Sequence, residues 1–564
     1  MTSDAHHSLA MPGRDFIKAP TIAERSKALD RARTHSWLVS RLKFALPILA
    51  VAMVGLYFLS PSIEVSIGDI NASVEGIVIE KGSLRMVNPK LEGANEKQGT
   101  YVVTAQYAEQ AVADPDTIHL TELQAETDNA QKGWSRLTSP KGIFKTKTEQ
   151  LELIGDIRVA QSNGMKARLT RADVDMKRQT VISKEPVKVD FPNGKLDSNA
   201  MRINMESKEA EFLGDVKVLM EQEKKASAEP KPEEPVQSFA VALKSDEPVN
   251  IAAPKLTIFD ANKLAHFRGG VETVQGGSRM KSKELKVYYA REEQQDTKSQ
   301  GGGKLKLIDA SGNVRIETTD GRKANAGQLI YDAILQQLTL NEDVVVTQGK
   351  NKLAGKQMIS DLATGITRFP PIDRVFGHFK PASDENAKAT KQGEQEKNPT
   401  VIEGAAQIDL SSTRGKPVDI EADSLTVNDK TSVAEFFGNV KVIQGAMTMQ
   451  SRKLAVNYSS KETSASSEKR GGSNIKSIRA EGNVVIDTSE EQKTTSDWAL
   501  FDAANQTVTI GGNVVLSQGD NVIKGSQLVI DLTTNKSRFV DGSGLPWKQQ
   551  RVRGIFVPQK NGKQ

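Results

Sequence analysis

The residues able to do chemistry are few and scattered in this chain of 564 residues. Cysteine is absent, which excludes thiolate metal sites, cysteine nucleophiles and a disulfide framework, and six histidines are a thin supply of metal ligands. His6, His7 and His35 lie near the N-terminus, while His119, His266 and His378 stand far apart with neither H-x-H nor H-E-x-x-H spacing, so they read as surface residues. Asp156, Asp215 and Asp343 recur at one place in a repeated pattern, where a side-chain oxygen is expected to cap backbone N–H groups of a turn rather than act as general acid or base. There is no G-x-S-x-G elbow and no P-loop, and the scattered acids do not supply the paired carboxylates of a polysaccharide-cutting β-helix. Arg374 and Arg551 open a shared Arg-Val-x-Gly-x-Phe-x-Pro ending; a guanidinium there could meet a phosphate, but a salt bridge at a domain end is the simpler role. The expectation is a protein without enzymatic activity, cofactor or metal.

Charge and hydropathy say where the chain sits. The net charge is +5, but the first 43 residues carry eight Lys/Arg against four Asp/Glu, which leaves a nearly balanced 68 against 67 for the rest. A basic footprint for nucleic acid is therefore missing. From Phe44 to Ile63 run 20 uncharged residues, enough helix to cross roughly 30 Å of hydrocarbon. The basic flank before them predicts a cytoplasmic N-terminus, and Ser60-Pro61-Ser62 is a poor match to a signal-peptide cleavage site. The reading is an uncleaved single-pass anchor with its bulk on the far side of the membrane.

Beyond residue 64 a short unit recurs: Gly155-Asp156-Ile157-Arg158-Val159, Gly214-Asp215-Val216-Lys217-Val218, Gly312-Asn313-Val314-Arg315-Ile316, Gly438-Asn439-Val440-Lys441-Val442, Gly482-Asn483-Val484-Val485-Ile486 and Gly512-Asn513-Val514-Val515-Leu516. Gly followed by Asn or Asp suits the positive-φ positions of a tight turn, and Val-x-Val starts a strand with one buried face. The chain reads as an all-β repeat protein. A larger duplication superposes Ile251 on Ile420, Leu256 on Leu425, Met280 on Met449, Asp332 on Asp502 and Asp361 on Asp531 at an offset of 169 to 170.

The resulting plan is a cytoplasmic stub 1–43, a membrane helix 44–63, a looser β block 64–220, a linker 221–238, a first copy 239–381, a linker 382–407, a second copy 408–558 and a tail 559–564. Arg291–Gly303 and Ser459–Ser473 interrupt the two copies at matching places and read as long hairpin loops. Alternation turns Leu256, Ile258, Val314, Ile316, Leu425, Val427, Val440, Val442, Val484 and Ile486 to one apolar face, with Lys255, Arg315 and Lys441 on the wet face. With aromatic residues at 5%, that face suits a groove for alkyl chains as well as it suits a packed core.

The anchor, the looser block with Tyr101-Val102-Val103-Thr104-Ala105 and Gly214-Asp215-Val216, and the repeated Gly-Asn-Val-x-Val strands together resemble the lipopolysaccharide-transport proteins LptC and LptA, with the OstA-type β-jellyroll. Residues about 30–220 resemble LptC, and each later copy resembles LptA. The resemblance implies tandem β-jellyrolls of open folded sheets and a carrier of lipopolysaccharide that holds lipid A acyl chains in the apolar face. It implies as partners an inner-membrane ABC transporter (LptB, LptF, LptG) and, beyond, an LptD-type outer-membrane translocon or further LptA-like units joined by edge-strand pairing. The alternative from another class is a membrane-anchored β-solenoid scaffold or adhesin with a packed interior.

Overall fold

The computed structural model describes residues 63–67, 70–80, 82–95, 99–129, 133–221, 247–290, 304–380, 416–459, 474–488, 492–534, 536–540 and 552–555. The expected cytoplasmic stub, the expected membrane span up to residue 62, residues 291–303 and 460–473 of the two expected hairpin loops, the tail and nearly all of both linkers lie outside the described residues. Ile63, read as the end of the span, begins a strand. The described residues are all-β, and no helix among them is long and apolar enough to cross a membrane.

Two compact units divide at Lys147/Thr148. The first holds β1 (Ile63–Ile67), β2 (Ile70–Val74), β3 (Gly76–Glu80), β4 (Ser83–Val87), β5 (Lys90–Asn95), β6 (Gly99–Thr104), β7 (Tyr107–Ala111), β8 (Asp114–Asn129) and β9 (Gly133–Lys145). The long β8 serves as a template: its N-terminal half pairs with β7, its C-terminal half with β6, and its residues from Thr117 to Asn129 with β9. A small core forms where Val74 and Ile77 pack with Ala72, Leu84 and Met86.

The second unit begins with β10 (Gln150–Gln161), β11 (Lys166–Asp175), β12 (Thr180–Ser183), β13 (Val187–Phe191), β14 (Gly194–Ser198), β15 (Ala200–Asn204) and β16 (Glu209–Met220). The first copy follows as β17 (Val249–Phe259), β18 (Leu264–Gln275), β19 (Ser278–Ala290), β20 (Lys304–Glu317), β21 (Arg322–Asp332), β22 (Gln337–Gln348), β23 (Asn351–Asp361), β24 (Ile366–Phe369) and β25 (Val375–Phe379). The second runs through β26 (Val418–Ala422), β27 (Ser424–Asn428), β28 (Val433–Gln444), β29 (Met447–Ser459), β30 (Asn474–Asp487), β31 (Gln492–Asp502), β32 (Thr507–Gln518), β33 (Asn521–Asp531), β34 (Lys536–Val540) and β35 (Arg553–Ile555). Every pairing is antiparallel between near neighbours in sequence, the pattern of a meander.

The Gly-Asp/Asn motif is not at the hairpins, which corrects the expectation of tight turns. Gly312 (φ 80°) and Asn313 (φ 53°) lie inside β20, where Ser311 pairs with Gln328 and Val314 with Ala326, so that two residues face Gly327 alone. Gly438-Asn439, Gly482-Asn483 and Gly512-Asn513 form the same mid-strand bulge. Such a bulge bends its strand, and bulges at matching places in neighbouring strands draw one crease across the sheet. Residues on both sides of the crease, such as Ala310 at 0% and Val314 at 1% exposure, are buried on the same face. No described helix covers that face, so the two leaves on either side of the crease must cover each other. The hairpins use other chemistry. Asp332, Asp361, Asp502 and Asp531 accept backbone N–H groups two and three residues on, and short Gly turns such as Gly276-Gly277 close the opposite ends.

Candidate functional site

The buried face of the second unit consists of two apolar rows, one on each side of the crease. On the first leaf, Phe212, Leu256, Phe267, Leu285, Ala310, Leu329, Leu340 and Met358 stand opposite one another in consecutive strands from β16 to β23. Pairing of Ile359 with Arg368 sets Phe369 beside Met358, and the row goes on through Leu425, Phe436, Leu454, Ala480, Ala499, Ile510 and Leu528 to Phe539. On the second leaf the register runs Val218, Ile251, Thr273, Met280, Ile316, Ala324, Val346 and Leu353. It crosses Gly377 to Ile420, Val442, Met449, Ile486, Thr494, Leu516 and Ile523.

Of the residues expected to line the apolar face, Leu256 and Leu425 belong to the first row, and Ile316, Val442 and Ile486 to the second. Val314, Val440 and Val484 follow the bulges directly, each 1% exposed. Val427 lies one step from the first row toward the hairpin ends and is buried, whereas Ile258, at the corresponding place in the first copy, is half-buried.

A line of serines escaped the sequence reading. Ser198, Ser451 and Ser496 stand opposite Val187, Val440 and Val484, and each donates its hydroxyl to the carbonyl two residues on, at 3.2, 3.1 and 3.2 Å. For Ser451 and Ser496 the partner strand is bulged just before the paired valine, and the hydroxyl gives a backbone carbonyl beside the crease a donor; Ser198 makes the same bond opposite the first residue of β13. The available signal is positional: Ser451 and Ser496 come two residues after Met449 and Thr494 of the second row.

The acids of the repeat do not cap turns. Asp156 accepts from Arg158 Nε at 2.8 Å, and Asp215 from Lys217 Nζ at 2.7 Å, while Asp343 meets Lys356 Nζ at 3.3 Å. The adjacent guanidinium holds the Asp156 carboxyl below the usual range, and Asp215 raises the Lys217 ammonium. The tight-turn expectation failed here because the motif sits in a mid-strand bulge, where the carboxylate meets a cation instead: two positions along the strand for Asp156 and Asp215, on the neighbouring strand for Asp343. His266 Nε2 and His378 Nδ1 each meet one carboxylate, Glu284 at 3.0 Å and Asp419 at 2.6 Å.

Arg374 takes the salt-bridge role, and it does so across the junction of the two copies. Its Nη1 donates to Asp423 Oδ1 at 3.2 Å, its Nη2 to the Asn439 carbonyl at 3.1 Å, and Glu421 Oε2 lies 3.5 Å away. Asn439 in turn donates its amide to Asp423 Oδ2 at 2.8 Å. Arg551 lies outside the described residues.

The second unit is thus a tandem of creased sheets whose two mainly apolar rows keep one register through both copies, and no group of three or more metal-ligating side chains occurs among the described residues. Two family models match: the LptA/LptD N-terminal domain lipopolysaccharide-transport model over residues 250–366 and again over 419–536, and the LptC-related lipopolysaccharide-assembly model over 90–221. The chain belongs to the Lpt-type lipopolysaccharide-transport proteins, with an LptC-related region followed by two LptA-like ones. An uncharacterized protein of Rhizobium meliloti is 35% identical over 131 residues, which are 23% of this chain and 68% of that protein. The lipopolysaccharide export system protein LptA of Haemophilus influenzae is 22% identical over 165 residues, 28% of this chain and 88% of its own. LptH of Pseudomonas aeruginosa, an LptA-homologous periplasmic transport component, aligns at 18% identity and a TM-score of 0.21 over 26% of this chain and 99% of its own.

Proposed function

We propose that this chain is a periplasmic lipopolysaccharide bridge built as one polypeptide. In this reading residues 1–43 are cytoplasmic, the apolar stretch from Phe44 to the strand that begins at Ile63 anchors the chain in the inner membrane, and the LptC-like block that follows, to residue 220, receives lipid from an ABC transporter of the LptB/LptF/LptG kind. The copies 239–381 and 408–558 carry it onward to an LptD-type translocon or to further LptA-like units. The observation that supports this most is the uninterrupted register of both apolar rows, from β16 through both copies to β33. At about 4.8 Å per strand the first row follows on the order of 75 Å of ladder. Acyl chains need such cover, because each methylene left in water costs about 0.8 kcal/mol.

The tight burial of Val314, Val440 and Val484 favours a second reading, a scaffold whose interior is simply packed. Photo-crosslinking separates the two. A benzophenone at Val314 or Val484 should yield a lipopolysaccharide adduct in cells, and one at the outward Arg315 should not. Val440→Asp should abolish the adducts while far-UV circular dichroism is retained. Adducts of equal yield at Val314 and Arg315, or wholesale unfolding of Val440→Asp, would favour the scaffold.

A further inference from the structure

The hairpin ends of the first copy hold a cleft of about 560 Å3, with Lys263, Tyr288, Tyr289, Lys306 and Ile334 among its lining residues. It lies at the rim of the sheet, Tyr288 being three residues along β19 from Leu285 of the first row. Tyr288 pairs with Leu264 and Leu307, and the next pair inward joins Val287 to Ala265 and Ile308. Lys263 Nζ is held by Asp260 Oδ1 at 2.6 Å, whereas the exposed Lys306 makes no ion pair among the described residues. Ile334 is 72% exposed at a hairpin tip fixed by Asp332. Asp332 also lines the cleft, with Oδ1 taken up by the N–H groups of Ile334 and Leu335, so Lys306 is the ammonium left to meet an anion; with the two phenol rings it suits a phosphorylated saccharide, since ring faces pack on sugar C–H groups and ammonium pairs with phosphate.

The second copy changes this corner. Its counterparts of Lys263, Tyr288, Leu307 and Ile334 are Ser432, Asn457, Ser477 and Ala504, and only Tyr458, Lys476 and Asp502 are kept. Tyr458 is turned onto Asp429 Oδ1 at 3.5 Å, and burial pushes its phenol well up, as expected of a ring that fills the corner instead of lining an opening. We propose that the cleft of the first copy is a subsite for the phosphorylated saccharide headgroup of the lipid whose acyl chains lie in the interior, and that the second copy lacks it. The proposal rests on the reading of the interior as a lipid trough. A lipid passing along the rows would then be held by its headgroup in the first copy and released from it in the second.

The test titrates the full chain with lipopolysaccharide, with the same lipid after chemical dephosphorylation, and with inorganic phosphate as competitor. Lys306→Gln should weaken binding of the phosphorylated lipid by roughly tenfold and leave the dephosphorylated lipid within about twofold, whereas Tyr288→Asn should weaken binding of both, since its ring meets the sugar that both lipids keep. Lys476→Gln in the second copy should change neither. Equal losses for both lipids with Lys306→Gln, no loss with Lys306→Gln, or the same loss with Lys476→Gln would overturn the subsite while leaving the trough standing. Displacement of the lipid by micromolar inorganic phosphate would reassign the cleft to a free anion. Absence of binding by either lipid, with no adduct at Val314, overturns the trough and the subsite together.

Discussion

The two junctions inside the second unit reach the same register by different means. Between β16 and β17 a single strand pair makes ten registered pairings, broken only by a bulge where Pro254, which has no N–H to donate, faces the gap between Leu213 and Val216. Between the two copies the corresponding strand is split: β24 pairs with β27 and β25 with β26, and residues 370–374 leave the ladder between them. Glu211 and Lys255 close the first junction with one ion pair at 2.6 Å, whereas Arg374 closes the second by reaching Asp423, Glu421 and the Asn439 carbonyl. Both apolar rows nevertheless pass through. What the interior requires is therefore register, and an unbroken strand is only one way to obtain it.

The sharpest test of that equivalence lies in the rows themselves. Leu256 is set between Phe212 and Phe267 at the first junction, and Leu425 between Phe369 and Phe436 at the second; they are 2% and 1% exposed. Leu256→Ala and Leu425→Ala should each lose about 2–5 kcal/mol, because both leave a cavity between two aromatic side chains. Hydrogen exchange of the flanking strands would measure it site by site. A large loss at one junction and almost none at the other would mean that one of them is loosely packed.

A smaller effect should separate the junctions. Arg374→Gln removes two hydrogen bonds at the split junction, where the side chain is 36% exposed, so a loss of about 1 kcal/mol is expected after allowance for solvent screening. Exchange should quicken in β24 to β27 and stay unchanged in β16 and β17. A change of equal size at both junctions would show that Arg374 acts on the whole unit and not on one seam.

The duplication could be read from the sequence because both copies keep the same inward residues at a fixed offset, and the rows preserve it. The crease could not. Gly-Asn announces two positive-φ residues, and both a two-residue turn and a mid-strand bulge use them. What tells them apart is distance to the true hairpins. Gly312-Asn313 is followed seven residues later by the turn that ends at Gly321, and Gly438-Asn439 by Gly445, so the motif falls in the middle of a long strand. Arg374 was legible as a salt bridge, but its partners Glu421 and Asp423 lie nearly fifty residues away, beyond a linker, and only the pairing of the copies brings them together. The serines were missed because a lone inward hydroxyl looks like a tolerated core residue until the kinked carbonyl beside it is seen.

The smallest effect comes from the hairpins that lead into the two junctions. Before the split junction, Asp361 accepts the N–H groups of Ala363 and Thr364, at 3.0 and 2.9 Å, and these bonds hold its carboxyl below the usual range. Before the continuous junction the same position is Asn204, which accepts from Glu206 and Ser207, both at 3.0 Å, and cannot titrate. A carboxyl whose pKa is depressed on folding contributes stability above its unfolded pKa of about 3.9, and that contribution is lost as pH falls through the lower folded value. The β23–β24 hairpin should therefore lose hydrogen-exchange protection below about pH 4, while the β15–β16 hairpin holds its own over the same range. Asp361→Asn should make the two hairpins respond alike, because the amide oxygen keeps the acceptor and removes the proton. If Asp361→Asn leaves the acid sensitivity of β23–β24 as it was, the carboxylate is not its source, and the difference between the junctions lies in the split strand alone.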